Sequence, residues 1–333
     1  MKPSEMNQYL KAMYSIGLCV YIEGPPGGGK SSIVGQVAEE LGAELIDIRL
    51  AQMDPTDIRG IPVHKDGRTF WAPPNILPKD DGKKYIVFFD ELGAAPPLNQ
   101  VAAYQALTDH RIGEYVFPEG CAIWGAGNRM QDRAVVYKMS TALANRMTHV
   151  TLDVDTSDWI NWALTHGIRD ELISFHRFRD STAKSMLFSF DPKRDEKAHA
   201  TPRTWEMVSK ILNSGLNNGL LEQAIFGTVG EPCGVEFVGW LRVHKSIPSP
   251  DLILMDPHQA PVPEQPDVMC ALAGALAARA TENTFDSIVA YSNRIPEEYA
   301  MLMIKDATTK DSSLTQTRAF AKWAMDHKEA LGA

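Results

Sequence analysis

Gly24-Pro25-Pro26-Gly27-Gly28-Gly29-Lys30-Ser31-Ser32 matches the spacing G-x-x-x-x-G-K-[ST] in full. Glycines let a backbone wrap so that successive N–H groups point into one concavity, and such a concavity binds phosphate oxygens. Lys30 supplies a point charge for β- and γ-phosphates, and the Ser31 hydroxyl is a ligand for Mg2+. The competing reading is a chance glycine-rich turn. The flanks argue against it: the β-prone Leu18–Ile22 runs in, and Ile33, Val37 and Leu41 at helical spacing run out, closed by Gly42. A helix in that place adds its positive N-terminal end to the phosphate site.

Two further apolar runs end in polar residues. Ile86-Val87-Phe88-Phe89 leads into Asp90-Glu91, and open α/β sheets bind ligands at the carboxyl ends of their strands. There Asp90 would hold Mg2+ through its water shell, and Glu91 would polarise an attacking water as general base. Alone, an Asp-Glu pair closing a strand is ordinary; downstream of a phosphate loop it reads as chemistry. Trp124-Gly125-Ala126-Gly127 leads to Asn128, whose amide could orient that water and touch the γ-phosphate, although turn formation is the commoner use of an asparagine.

These groups need a frame. Met6, Leu10, Met13 and Tyr14 predict a helix over 3–16, and Leu98, Val101, Ala102, Gln105 and Ala106 another over 97–109. Strands are predicted at 18–22, 45–50, 85–89 and 121–126, with a fifth where Val150, Leu152 and Val154 alternate. Strands alternating with helices imply a parallel α/β sheet. Residues 51–80 read as a loop with a hairpin, in which Phe70-Trp71 lies either on an inserted hairpin or loop or in a buried aromatic pair. Asp109-His110-Arg111 reads as a helix C-cap. Past residue 155 strand signals fade. Trp159, Trp162, Ala163 and Leu164 suggest one helix, and Trp205, Val208, Ile211 and Leu212 another, opening at Thr201-Pro202. Six prolines between 246 and 266 mark an extended connector, and 267–333 is helical again. The expected division is a nucleotide-binding α/β domain over 1–154, a helical lid over 155–245, and a connector with C-terminal helices over 246–333.

Composition narrows the partners. The 333 residues are 44% hydrophobic and 23% charged, as in a folded chain of about two domains. The net charge of −9 rules out coating of nucleic acid or anionic membrane by bulk charge. His176-Arg177-Phe178-Arg179 and Lys193-Arg194 do have the basic-aromatic texture of a nucleic-acid contact, but residues 169–210 hold nine basic against seven acidic side chains. Cys19, Cys121, Cys233 and Cys270 show no metal or disulfide spacing, and the histidines none for zinc. The apolar run 269–278 is about half of the ~20 residues a membrane span needs, and the N-terminal residues are not a signal peptide, so a soluble, cytoplasmic protein is expected.

The strings GPPGGGKSS, DPTDIRGIP, FWAPPNILP, FFDELGAAPPLNQVAAYQALTDHRIGEYVFPEG, GAGN, STALANRM and ATPRTW, in this order, resemble the AAA+ ATPases, and most the MoxR branch, over about residues 15–215. The resemblance implies an AAA+ P-loop core with a parallel sheet flanked by helices, then an all-α lid and a C-terminal helical extension. By position, Gly24, Pro25, Pro26, Gly27, Gly28, Gly29, Lys30, Ser31 and Ser32 fall on Walker A, Asp90 and Glu91 on Walker B, and Asn128 on sensor 1. Arg146 falls on the arginine finger, with Arg129 and Arg133 as neighbours that could also serve, and Arg203 on sensor 2. Gly28 departs from the family, which often has Thr or Ser before the last glycine. ATP and Mg2+ are the implied cofactors. A homo-oligomer, a hexamer-like ring or a spiral, is the implied assembly, with active sites shared between subunits and a protein partner carrying a von Willebrand A domain. The implied activity is that of a motor or chaperone. A nucleic-acid loader or DNA-bound ATPase stands beside it, disfavoured by the acidic balance. A slowly hydrolysing scaffold is disfavoured by the intact Asp90-Glu91.

Overall fold

Successive side chains of a β-strand face opposite sides, and in the central strands of this chain both sides are apolar, the pattern of a sheet covered by helices on each face. The computed structural model describes residues 1–132, 139, 141–182 and 185–328. They divide into two units, Met1–Asp155 with Asp191–Asp195, and Thr156–Phe190 with Glu196–Ala333.

The first unit runs α1 (Pro3–Ser15), β1 (Val20–Glu23), α2 (Lys30–Leu41), β2 (Glu44–Arg49), α3 (Pro55–Arg59), β3 (Ile61–Lys65), β4 (Arg68–Ala72), β5 (Tyr85–Asp90), α4 (Pro97–Asp109), β6 (Arg111–Ile112), β7 (Tyr115–Val116), β8 (Cys121–Gly127), α5 (Thr141–Ala144) and β9 (Thr148–Thr151). Five strands form one parallel sheet in the order β2-β5-β8-β1-β9. Val20, Ile22, Phe88 and Trp124 meet Met6 and Leu10 of α1 and Ile33, Val34 and Val37 of α2 on one face. Tyr21, Val87, Phe89 and Ile123 meet Ala102, Ala103, Ala106 and Leu107 of α4 on the other. His110 closes α4 in the left-handed region at φ 49°, the cap read from the sequence.

Three local readings change. The fifth strand begins earlier and ends at Thr151; Leu152 is buried against Gly24 of the glycine loop, and its N–H donates the last β9–β1 bond, to Glu23 O at 2.7 Å. Phe70 and Trp71 are not a buried pair; they lie on the β3–β4 hairpin, each 37% exposed, with the Arg59 guanidinium 5.7 Å from the Trp71 ring. The proline-rich connector contains a helix, Pro250–Met255, begun by a proline whose fixed φ suits a first helical turn.

The second unit is helical: α6 (Thr156–Thr165), α7 (Asp170–Thr182), α8 (Pro202–Leu212), α9 (Asn218–Val229), α10 (Glu231–Lys245), α11 (Pro250–Met255), α12 (Pro266–Ala278), α13 (Phe285–Ser292), α14 (Glu297–Lys310) and α15 (Arg318–Asp326). Helices from both sides of the prolines pack together. Gly274 of α12 admits Ser174 of α7, where a Cβ would come within 3.1 Å, and Arg177 pairs with the buried Asp306 of α14 at 2.7 Å. This overturns the nucleic-acid reading of His176–Arg179. His176 is 0% exposed, Phe178 stacks on Trp240 at 5.0 Å, and Arg179 pairs with Glu236 at 3.4 Å. Alternating basic and aromatic residues face inward here because α6, α10 and α12 all pack on α7.

Neither ring nitrogen of His176 has a hydrogen-bond partner, and Trp159 and Trp205 lie edge-on to it at 4.9 and 4.6 Å. Burial pushes its pKa down from 6.5 to about 3. The unfolded chain therefore binds a proton that the folded chain refuses, so stability is full above pH 6.5 and falls as pH drops toward 3. Asp306 works in the opposite sense, since burial lifts it to about 6 against the pull of Arg177. The comparison with a variant isolates the histidine. His176→Leu is expected to lose about 1.4 kcal/mol less stability per pH unit than wild type between pH 6 and 4. Urea unfolding followed by tryptophan emission measures it, and parallel pH profiles would refute it.

The four cysteines are buried and free, and burial raises Cys19 to about 11 and Cys121 and Cys270 to about 12, so these three stay protonated thiols. Among the described residues no helix is long and apolar enough to cross a membrane.

Candidate nucleotide site

Parallel strands β1, β5 and β8 lie side by side and end at one edge, so whatever follows each of them converges. Gly24 follows β1, and its N–H donates to Gly127 O at 3.3 Å, tying the loop to β8. Gly27 and Gly29 take φ of 70° and 97°, values that L side chains resist. A Cβ at Gly28 would come within 3.1 Å of Pro25 O, so the family's Thr or Ser has no ready space in this loop shape. Gly29 is the N-cap of α2, and no side chain caps that helix. Its first amides are left to an anion, which fits a phosphate cradle. Ser32, in that first turn, is exposed.

The Lys30 ammonium is buried and donates to Gly24 O at 2.9 Å, Pro25 O at 3.1 Å and Asn128 Oδ1 at 2.8 Å. The Ser31 hydroxyl donates to Asp90 Oδ2 at 2.7 Å, and Asp90 Oδ1 accepts the Glu91 N–H at 2.8 Å. Two contacts thus join the start of α2 to the ends of β8 and β5. Ser31 and Asp90 offer a hydroxyl and a carboxylate oxygen side by side, the hard donors that Mg2+ takes. No group of three or more His, Cys, Asp or Glu among the described residues could hold a metal alone, so a cation here would complete its shell from phosphate and water. Asp47, on the adjoining β2, carries a carboxyl raised by burial and then by the charge of Asp90.

Glu91 is exposed just past β5, with φ 54° and ψ 30°. The left-handed region is costly for a non-glycine residue, and two bonds hold it there: its N–H to Asp90, and its C=O accepting Ala94 N–H at 2.8 Å. Sequence reading did not anticipate this strain. It also gave no role to Gly125 and Gly127. A Cβ at Gly125 would come within 3.0 Å of Leu92, and one at Gly127 would overlap the Tyr21 hydroxyl, which crosses β8.

The arginines separate. Arg129 is tied to the buried Asp132, with Nε and NH2 donating at 3.1 and 2.9 Å. Arg133 lies outside the described residues. Arg146 is exposed in the turn between α5 and β9, its guanidinium 5.0 Å from the Tyr104 ring. Register pairs Val20 with Thr148 and Glu23 with Thr151, so Arg146 enters β9 at the end of the sheet opposite the phosphate loop. Arg203 belongs to the second unit, exposed in the first turn of α8, where Thr201 Oγ1 accepts the Thr204 N–H at 3.1 Å.

Residues 19–147 match the AAA domain family, dynein-related subfamily. Midasin from Giardia intestinalis is 27% identical over 162 residues, which are 45% of this chain and 3% of midasin, so the likeness spans a small part of that protein. Among solved structures, the RuvB Holliday junction branch migration motor of Thermotoga maritima is 15% identical, with TM-score 0.39, over 91% of this chain and 86% of RuvB. NtrX from Brucella abortus in complex with ADP is 13% identical, with TM-score 0.40, over 99% and 68%.

Proposed function

We propose, from the premise that residues 19–147 form an AAA domain of the dynein-related subfamily, that the chain binds ATP with Mg2+ and hydrolyses it as an oligomeric motor or chaperone acting on a macromolecular partner. The observation that carries this reading is the meeting of Lys30, Ser31, Asp90 and Asn128 through short hydrogen bonds at adjoining strand ends. Backbone amides of the glycine loop cradle the phosphates, and Lys30 turns from Gly24 O and Pro25 O to their oxygens. Ser31 and Asp90 hold the cation, directly or through water; when bound, Mg2+ offsets charge on the phosphate oxygens. Glu91, mounted outside the strand, accepts a proton from the attacking water while Asn128 orients it.

A guanidinium on the terminal phosphate completes such a site. The place of Arg146, at the far end of the sheet from its own loop, favours service to a neighbouring subunit's nucleotide and hence a ring or spiral. Arg203 of the helical lid, 155–245, is the proposed sensor 2. The exposed Phe70–Trp71 hairpin supports a protein-gripping surface, with a von Willebrand A protein as the family's usual partner and the cytoplasm as the setting. His176–Arg179 packs within the helical unit and is lost to a nucleic-acid surface, which leaves that reading only the exposed Lys193 and Arg194.

Purified protein is expected to release phosphate from ATP with Mg2+ and to stop when EDTA removes the metal. Glu91→Gln should still bind ATP while turnover falls at least ~100-fold. Wild-type turnover by Glu91→Gln, with nucleotide bound, would sink the assignment.

A further inference from the structure

We propose that Tyr104 is a positioning residue: it holds the Arg146 guanidinium in the pose in which it is offered to the adjoining subunit's nucleotide. The inference rests on the reading of Arg146 as the finger. Arg146 stands exposed on a turn in which its N–H donates to Leu143 O at 3.1 Å and Met147 N–H donates to Ala144 O at 3.3 Å. An exposed arginine loses about 2 kcal/mol of rotamer freedom when one pose is demanded of it. Tyr104 meets part of that cost in advance, with the guanidinium carbon 5.0 Å from its ring centroid.

The face of a tyrosine ring attracts a cation without a full negative charge, so it can hold a guanidinium while competing less with a phosphate than a carboxylate would. Arg129 of the same unit turns its forked donors onto the Asp132 carboxylate. The ring itself is steady. Tyr104 is half-buried against the α4 face of the core. The first turn of α4 is pinned by Asn99, whose amide donates to Leu50 O at 2.9 Å, and by Gln100, which donates to Ala95 O at 3.0 Å. The helix that opens shortly after one protomer's acidic pair therefore carries the support for the finger given to the next.

The test is a double-mutant cycle on the full chain, with steady-state kinetics, nucleotide titration and sedimentation at the assay concentration. Tyr104→Leu is expected to assemble, to bind ATP with unchanged affinity, and to lose roughly threefold to thirtyfold in kcat with KM held. Tyr104→Phe, which keeps the ring, restores kcat to within about twofold. In an Arg146→Ala background Tyr104→Leu should cost nothing more, because the residue acts through the arginine. A loss that persists in that background, or accompanies failed assembly, makes Tyr104 a packing residue and overturns the proposal. Undiminished kcat in Tyr104→Leu beside a dead Arg146→Ala overturns it alone. Full activity in Arg146→Ala removes the finger reading and this inference together.

Discussion

Arg146→Ala is expected to bind ATP as tightly as the unaltered chain and to hydrolyse it roughly 10³–10⁵ times more slowly, the range for a finger supplied in trans. The separation of binding from turnover follows from position. The cradle, Lys30 and the Ser31–Asp90 pair are all within one subunit and untouched by the change, whereas Arg146 stands at the opposite end of the sheet. Mixing makes the prediction sharper. An Arg146→Ala subunit keeps a sound cradle and a Lys30→Ala subunit keeps a sound finger, so co-assembly of two inactive proteins should recover part of the activity. A finger acting within its own subunit would yield no recovery at any mixing ratio.

Lys30→Ala is expected to weaken ATP binding by at least ~100-fold, since it removes a charge-assisted donor to the phosphates. It also leaves Gly24 O, Pro25 O and Asn128 Oδ1 without the ammonium that now joins them, so the loop and the β8 end lose a tie before any ligand arrives. Titration with a fluorescent nucleotide measures the affinity, and far-UV circular dichroism guards against misfolding. Near-normal affinity in a folded variant would mean that the loop is not the phosphate site.

The core of this site could be read from the sequence because its constraints are local. A phosphate loop needs glycines, a lysine and a hydroxyl at fixed offsets, and a strand buried on both faces must be apolar throughout, as Tyr85–Phe89 and Cys121–Ala126 are. What could not be read depends on residues distant along the chain. His176 and Arg177 look the same in sequence whether they face water or a helical core, and Asp306, which decides the matter for Arg177, lies far downstream. Glycine at 127 looks like an ordinary strand residue until the Tyr21 hydroxyl is seen crossing above it. Nothing within α4 announces that Tyr104 meets Arg146. The apolar alternation of Val150, Leu152 and Val154 outlasts β9, because Leu152 stays buried one residue past the strand's end at Thr151.

The left-handed turn at Glu91 sets evolution and engineering at odds. For an L-residue that conformation costs about 1 kcal/mol or more, and glycine adopts it freely. A search of variants by heat resistance alone would be drawn toward glycine here and would discard the carboxylate that the turn presents. The proposed general base persists in this chain as a tolerated local discomfort, which screens for durability would cure together with its purpose.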